Sequence, residues 1–226
     1  MSNSKKTYIV LGLGIFGSTI SKELTKFGQD VIALDKDMSC VERMSELVAH
    51  AVCCDFTDKD QLRAIGAGDA DAAIVATGSH LEESILAIMN LKELGVPYVL
   101  AKAKNRKYGD IMLKIGADKI VLPEKEMGIR MAKALLAWNI VELVDIDKDY
   151  SIMEIKAPTS WVNKSLLQLN IRSKLGINVL GIRNGDNQHL SINPNPNYLI
   201  QDTDQLLVVA DKDIFNHFEE LERVRG

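Results

Sequence analysis

Over roughly the first half of the chain, apolar residues gather in short continuous runs, with stretches of helical spacing between them. Runs at 7–12, 30–35, 50–53, 72–76, 97–101 and 119–122 read as strands. The intervening segments 15–27, 38–47, 58–65, 80–94 and 106–115 read as amphipathic helices. Near-continuous apolar strands alternating with helices predict a parallel sheet covered on both faces, a doubly wound α/β unit over residues 1–122. Gly28 and Gly95 each stand just past a helix and before a strand, where C-terminal caps belong.

Residues 123–139 continue as one more helix, opening on Pro123-Glu124-Lys125-Glu126. It carries Met127, Ile129, Met131, Ala132, Ala134, Leu135, Leu136 and Trp138. A helix this apolar beyond a finished sheet packs on its own domain or crosses to a partner subunit, and the sequence leaves both open. From 140 onward the pattern changes. Strand-like runs stand at 140–146, 151–157, 177–183 and 206–210, with turns at Asp147-Lys148-Asp149 and Asn184-Gly185-Asp186. Short helices fit 163–168 and 211–223, and Asn193-Pro194-Asn195-Pro196-Asn197 reads as a rigid, extended loop. Residues 140–226 are thus expected to form a small α+β domain, too small to be catalytic by itself.

The first turn carries the strongest chemical signal. Tyr8-Ile9-Val10-Leu11 leads into Gly12-Leu13-Gly14-Ile15-Phe16-Gly17, and the second apolar run ends on Asp35. Strand, G-x-G-x-x-G, helix, strand and acid form the fingerprint of a Rossmann-type dinucleotide fold, with expected strand order 3-2-1-4-5-6. Gly12 permits the tight turn, Gly14 leaves room for a pyrophosphate, and Gly17 lets the helix approach the strand. The helix then presents free N–H groups and a partial positive charge to the phosphate. Asp35 can accept hydrogen bonds from both ribose hydroxyls.

Composition narrows the partners. Of 226 residues, 46% are hydrophobic and 26% charged, as in ordinary globular chains with a proper core. The net charge of −4 and the absence of a long Lys/Arg block argue against nucleic acid. No apolar run reaches membrane-spanning length and no signal-peptide pattern appears, so a soluble protein that stays where it is made is expected. Cys40, Cys53 and Cys54 cannot pair evenly, and two adjoin on what reads as a buried strand, which predicts a reduced, cytoplasmic protein.

Other crevice candidates stand at strand ends. Asp55 can receive an adenine amino group or cap the helix at 58–65, a role Thr57 serves at least as well. Lys102 and Lys104 can bring positive charge to a phosphate or remain solvated. Glu124 can meet a divalent cation or a partner's phosphate, or complement a helix dipole as a first-turn acid. A nicotinamide oxidoreductase is the alternative enzyme reading, and it needs a proton donor or base. Of His50, His80, His189 and His217, His80 alone falls in the crevice, after Ala76-Thr77-Gly78-Ser79, with no evident orienting acid. The fold positions a nucleotide, but nothing evident does chemistry on it.

Together these pieces resemble the RCK family, the regulators of potassium conductance, and among them the KtrA/TrkA type. The matching stretches are 10–17, Leu34-Asp35, Cys54-Asp55-Phe56-Thr57, Ala76-Thr77-Gly78 and Ala101-Lys102-Ala103-Lys104-Asn105. The most specific is the block 115–128, Ile-Gly-Ala-Asp-Lys-Ile-Val-Leu-Pro-Glu-Lys-Glu-Met-Gly. In the second half, 165–172 and Asn193-Pro194 resemble the RCK C-terminal domain.

The resemblance implies a non-enzymatic, cytoplasmic gating subunit. It would form a homo-oligomeric ring, an octamer of four dimers, beneath an integral-membrane potassium transporter subunit of KtrB/TrkH type. The RCK N-terminal domain, 1–122, would bind ATP or ADP, or in relatives NAD(H). Its ligand-contacting positions would be Gly12, Gly14, Ile15, Phe16, Gly17, Asp35, Lys36, Asp55, Phe56, Ala76, Thr77, Gly78, Lys102 and Glu124, the last a candidate for Mg2+ or Ca2+. Helix 123–139 would be the crossover element. The C-terminal domain, 140–226, would bind cyclic di-AMP through Leu166, Leu167, Asn170, Ile171 and Arg172 with Pro194. On the residues alone, Leu166, Leu167 and Ile171 can equally be core and Arg172 an ion-pair partner. Ile15 departs from the family, whose KtrA-type chains commonly carry Arg there. A guanidinium is a strong phosphate ligand and isoleucine offers none.

Overall fold

The computed structural model describes residues 5–77, 80–136, 140–185, 189–211 and 214. Its packing divides the chain between Glu126 and Met127 into two units. The first unit holds β1 (Thr7–Leu11), α1 (Ile15–Lys26), β2 (Asp30–Asp35), α2 (Met38–Glu42), β3 (His50–Cys53), α3 (Lys59–Ala64), β4 (Ala72–Val75), α4 (Leu81–Glu93), β5 (Val99–Lys102), α5 (Arg106–Ile115) and β6 (Lys119–Val121). The sheet is parallel in the order β3-β2-β1-β4-β5-β6, with Leu11 opposite both Leu34 and Val75. This is the predicted doubly wound order.

Alternation along β1 explains the two layers. Ile9 and Leu11 point into one core with Leu62 of α3, Ile88 and Leu91 of α4 and Met112 of α5. Val10 points the other way, into a core with Val41 of α2, Met44 and Val48, against which Phe16, Ile20 and Leu24 of α1 pack. Gly28 and Gly95 follow α1 and α4 at φ of 78° and 92°, as C-caps do.

Several boundaries differ from expectation. α2 stops at Glu42 rather than 47, because the chain tightens into turns in which Met44 N–H donates to Val41 O and Leu47 N–H to Met44 O. Ser45 adds to this by donating from its hydroxyl to Glu42 O at 2.8 Å. Val41, Met44 and Val48 stay buried at helix-like spacing, which is why the stretch reads as helix. β5 starts at Val99 rather than 97, past Pro97, which has no N–H to give a ladder. It runs to Lys102, so that lysine ends the strand rather than following it. The cap of α3 is Asp58 rather than Thr57, accepting from Asp60 N–H at 2.9 Å and Gln61 N–H at 3.3 Å. β3 is an edge strand rather than a buried one: Cys53 is exposed, and only Cys54 beyond it is buried.

The second unit holds most of α6 (Pro123–Leu136), then β7 (Ile140–Asp145), β8 (Tyr150–Lys156), α7 (Leu166–Leu169), α8 (Ile171–Leu175), β9 (Asn178–Arg183), β10 (Leu190–Ile192) and β11 (Gln205–Asp211). Its five-stranded sheet runs β10-β9-β11-β8-β7, antiparallel throughout. The core gathers Met153, Ile155, Trp161, Ile171, Ile177, Ile182, Ile200, Leu206 and Val208. The helix expected at 163–168 is two short ones. A Ser165–Gln168 capping box opens α7 and Asn170, left-handed at φ 46°, turns the chain into α8. Residues 193–197 form turns rather than an extended loop, since Asn193 is left-handed and Asn195 Oδ1 accepts from Asn197 N–H at 2.9 Å. β10 was not expected; it is short and lies on the sheet edge. Apart from Asp211, a strand residue, and Ile214, the helix expected at 211–223 lies outside the described residues, as do Gly78, Trp138 and His217. Among the described residues no helix is long and apolar enough to cross a membrane.

Candidate functional site

The glycine turn joins β1 to α1 at the carboxyl end of the sheet, where the strand order reverses between β1 and β4. Gly12 takes φ +94°, and a Cβ there would stand 2.7 Å from Thr77 Cγ2. A Cβ on Gly17 would meet Gly12 O at 1.9 Å, so the helix lies directly against the turn. A Cβ on Gly14 would meet nothing within 4 Å, so that side of the turn is open. Gly14 caps α1 without a side-chain hydrogen bond, and within α1 Ser18 is the first residue whose N–H is satisfied, by Gly14 O at 2.9 Å. The N–H groups of Ile15, Phe16 and Gly17 are the orphan donors of the helix start. A built anion cradle results, and it fits a phosphate.

Asp35 closes one side. Its Oδ2 accepts from Leu13 N–H at 2.6 Å and its Oδ1 from Asp37 N–H at 2.9 Å. Those bonds leave lone pairs for ribose hydroxyls. On the other side Thr77 Oγ1 meets Ser84 Oγ at 3.0 Å, tying the end of β4 to α4. Ala76 donates its N–H to Leu11 O at 2.8 Å and packs under α1, a structural role.

Beyond Asp35, Lys36 Nζ stands 3.2 Å from both Asp55 Oδ1 and Glu83 Oε1, and 5.4 Å from the Phe56 ring centre. Burial works against the Lys36 charge, but the hydrogen bonds and charges of Glu83 and Asp55 outweigh it and raise its pKa. The Thr57 hydroxyl, with further help from Lys36, holds the Asp55 carboxyl below its usual range. Phe56 itself is buried in the core, so it forms a floor rather than an accessible wall. At the far end Lys102 Nζ pairs with Glu124 Oε1 at 2.5 Å and stands 5.8 Å from the Phe16 ring centre. The Lys102 hydrogen bond lowers the Glu124 pKa. No group of three His, Cys, Asp or Glu suited to a metal ion gathers among the described residues. Glu124 therefore fits Mg2+ only as a single ligand, with phosphate oxygens supplying others.

Ile15, the first residue of α1, is 91% exposed and brings no donor but its N–H. His80 precedes α4, exposed and making no capping bond. Sequence reasoning missed Glu83 and the Leu13 N–H. Glu83 was findable as a first-turn acid of the helix that follows the strand at the switch point. An apolar cleft of about 390 Å3, with Tyr8, Ile74, Tyr98 and Leu100 in its lining, opens toward the amino ends of β1, β4 and β5. It lies at the end of the sheet opposite the crevice.

In the second unit, Leu167 is 68% exposed, while Ile171 is buried in the core and Leu166 packs against it. Leu167 donates its N–H to Pro196 O at 3.0 Å. Asn170 and Arg172 are exposed and Pro194 is half-buried. Ile171 thus supports this surface from beneath instead of presenting a contact.

The chain matches the TrkA-N domain model over residues 8–123 and the TrkA-C domain model over 151–223. It is 35% identical to Ktr system potassium uptake protein A of Bacillus subtilis, covering 95% of this chain and 96% of that one. With protein C of the same organism the identity is 36%, at the same coverages. Among solved structures it resembles the GsuK RCK domain with a TM-score of 0.66 at 16% identity, over 98% of this chain and 48% of that one. That likeness concerns the fold. The chain belongs to the RCK family, and within it to the Ktr-type potassium uptake proteins built from a TrkA-N and a TrkA-C domain.

Proposed function

We propose that this chain is the nucleotide-binding regulatory subunit of a potassium uptake system, and that it acts without catalytic turnover. The observation that carries the reading is the uncapped start of α1 with open space at Gly14 and Asp35 fixed beside it. An adenine nucleotide, ATP or ADP or NAD(H), lies with its phosphates on that helix start and its ribose on Asp35. Thr77 and Lys102 face its phosphates, and Lys36 and Asp55 its adenosine end. Glu124 serves a Mg2+ or Ca2+ ion only together with bound phosphate.

The regulatory output is a change of assembly shape. The chain works as a homo-oligomer, dimers closing into an octameric ring, on the cytoplasmic side of an integral-membrane potassium transporter subunit of KtrB/TrkH type. Helix 123–139 acts as the crossover element between subunits. Its Met127, Ile129, Met131 and Leu135 are between 48% and 80% exposed, which supports an apolar partner surface. The 140–226 domain takes cyclic di-AMP at a two-fold axis, with Leu166 and Leu167 against the bases, Asn170 as hydrogen-bonding partner, Arg172 beside a phosphate, and Pro194 at the rim.

Mass spectrometry of ligand retained by the purified protein, followed by calorimetry with ATP, ADP and NAD, tests the first site. Bound nucleotide recovered unaltered is the expected result, and oxidation or reduction of a bound nicotinamide would overturn it. Sedimentation tests the assembly, and a 25 kDa species with and without nucleotide would contradict it. Titration with cyclic di-AMP against cyclic di-GMP tests the second domain, with one adenine ligand per two chains expected.

A further inference from the structure

We propose that Tyr198 and Asp204 are positioning residues for the ligand surface of the second unit: their side chains hold the 193–199 segment across α7, so that α7 and Pro194 stand in place before a ligand arrives. This rests on the cyclic di-AMP reading above and adds to it two residues that touch no ligand.

Backbone bonds pin the segment at both ends. Asn193 N–H donates to Leu180 O of β9 at 2.9 Å, and Ile200 N–H to Lys164 O at 3.1 Å. Leu199 forms an isolated antiparallel bridge with Ser165, the cap of α7. Between the ends, Pro194 and Pro196 have no N–H to give, and Asn197 and Tyr198 donate theirs to Asn195, inside the segment. Pro196 O accepts the Leu167 N–H at 3.0 Å, which ties the segment to α7. The Tyr198 side chain is a second tie. Its ring packs against the core of the unit, and its hydroxyl donates to Asp204 Oδ2 at 2.9 Å, with Asn184 Oδ1 at 3.2 Å. Burial first, and then the Asp204 carboxylate, push that hydroxyl up to about 12, so it stays a donor at neutral pH.

Asp204 is 1% exposed, and its Oδ2 also accepts the Gln201 N–H at 2.8 Å. Its Oδ1 is buried without a hydrogen-bond partner among the described residues. A half-satisfied buried carboxylate is a poor choice for stability alone, because the unpaired oxygen gives up hydration and gains no bond. What it supplies is a strong, charge-assisted acceptor at one fixed point just before β11. Holding a loop in its bound arrangement raises affinity by removing the ordering cost that binding otherwise carries.

Amide hydrogen exchange and cyclic di-AMP titration of the full chain, parent and Tyr198→Phe, test the proposal. Tyr198→Phe keeps the ring in the core, so the amides of β8, paired on both sides, are expected to exchange as in the parent. The Leu167 amide is expected to exchange about fivefold faster or more, and cyclic di-AMP to bind about fivefold more weakly or more, with the loss in the association rate. Asp204→Asn weakens the same bond from the acceptor side and is expected to move both readouts in the same direction, by less. Unchanged Leu167 exchange in both variants overturns the inference, as does faster exchange with unchanged affinity, and either result leaves the ligand reading standing. Equal acceleration of the Leu167 and β8 amides reduces the pair to general stability and overturns it as well. A parent protein that does not bind cyclic di-AMP overturns the ligand reading and the inference together.

Discussion

The carboxylate of Asp35 accepts the backbone N–H of Leu13 at 2.6 Å, so the acid that ends β2 also fastens the glycine turn. Leu13 is almost fully buried, and its N–H has no water to fall back on. One side chain therefore shapes the loop and stands where the proposed nucleotide's ribose would lie.

Asp35→Ala is expected to act on both functions. Affinity for ATP, ADP or NAD drops by about 1–3 kcal/mol from lost ribose bonds, and stability drops by about 1–3 kcal/mol from the orphaned Leu13 N–H. Asp35→Asn keeps an acceptor and loses less stability. Calorimetry and urea unfolding read the two effects separately, and unchanged affinity in a folded Asp35→Ala would move the ribose elsewhere.

Gly14 and Gly17 separate binding from folding. Gly17→Ala forces a methyl to 1.9 Å from a backbone oxygen that cannot yield cheaply, and should cost about 1–3 kcal/mol or more. Gly14→Ala places its methyl in open space at φ −62°, with stability changed by no more than about 0.5 kcal/mol. In the proposed binding mode that methyl stands where phosphate would approach, so nucleotide binding is expected to weaken. Denaturant midpoints and titrations of the two variants should show this crossed pattern; equal loss of stability in both would refute it.

Adjacent cysteines should react oppositely. Cys54 is buried, and burial pushes its thiol up to about 11, leaving little thiolate at neutral pH. Cys53 is exposed, with Sγ 3.4 Å from Lys36 O, beside the proposed adenosine end of the crevice. Iodoacetamide followed by peptide mass mapping is expected to label Cys53 in the folded protein and Cys54 only after unfolding, with bound nucleotide slowing Cys53. Rapid labelling of Cys54 in native protein would contradict the packing of that strand end.

Acid should loosen the Thr57–Asp55–Lys36 contacts. The Asp55 carboxyl is held below its ordinary 3.8, so it contributes stability above that value and loses it as pH falls through the lowered one. Asp55→Asn should therefore be less stable than the parent at neutral pH, with the gap closing as pH falls from about 5. Thermal melts across that range give the comparison, and a gap independent of pH would assign it to packing instead.

The sheet order and the glycine turn were legible because local chemistry dictates them. Parallel strands buried on both faces must be apolar throughout, and a turn with α1 lying on it has no room for a Cβ at Gly17. Patterns of this kind need no knowledge of distant residues. The short α2, the cap at Asp58 and the split into α7 and α8 were less legible. Each depends on competition between nearly equal local hydrogen bonds, which Ser45, Asp58 and Asn170 settle by small differences in geometry.

The charge balance of the crevice belongs to tertiary structure alone. Lys36 and Glu83 lie 47 residues apart in the chain, yet meet because β2 and α4 flank the same crevice. Lys102 is paired with Glu124 because β5 and β6 are neighbours, with Lys102 in register with Val121. The residue types in the sequence named the candidates for phosphate and ribose. Only the fold decided which charges were already spoken for, because Coulomb attraction follows distance in space and not position along the chain.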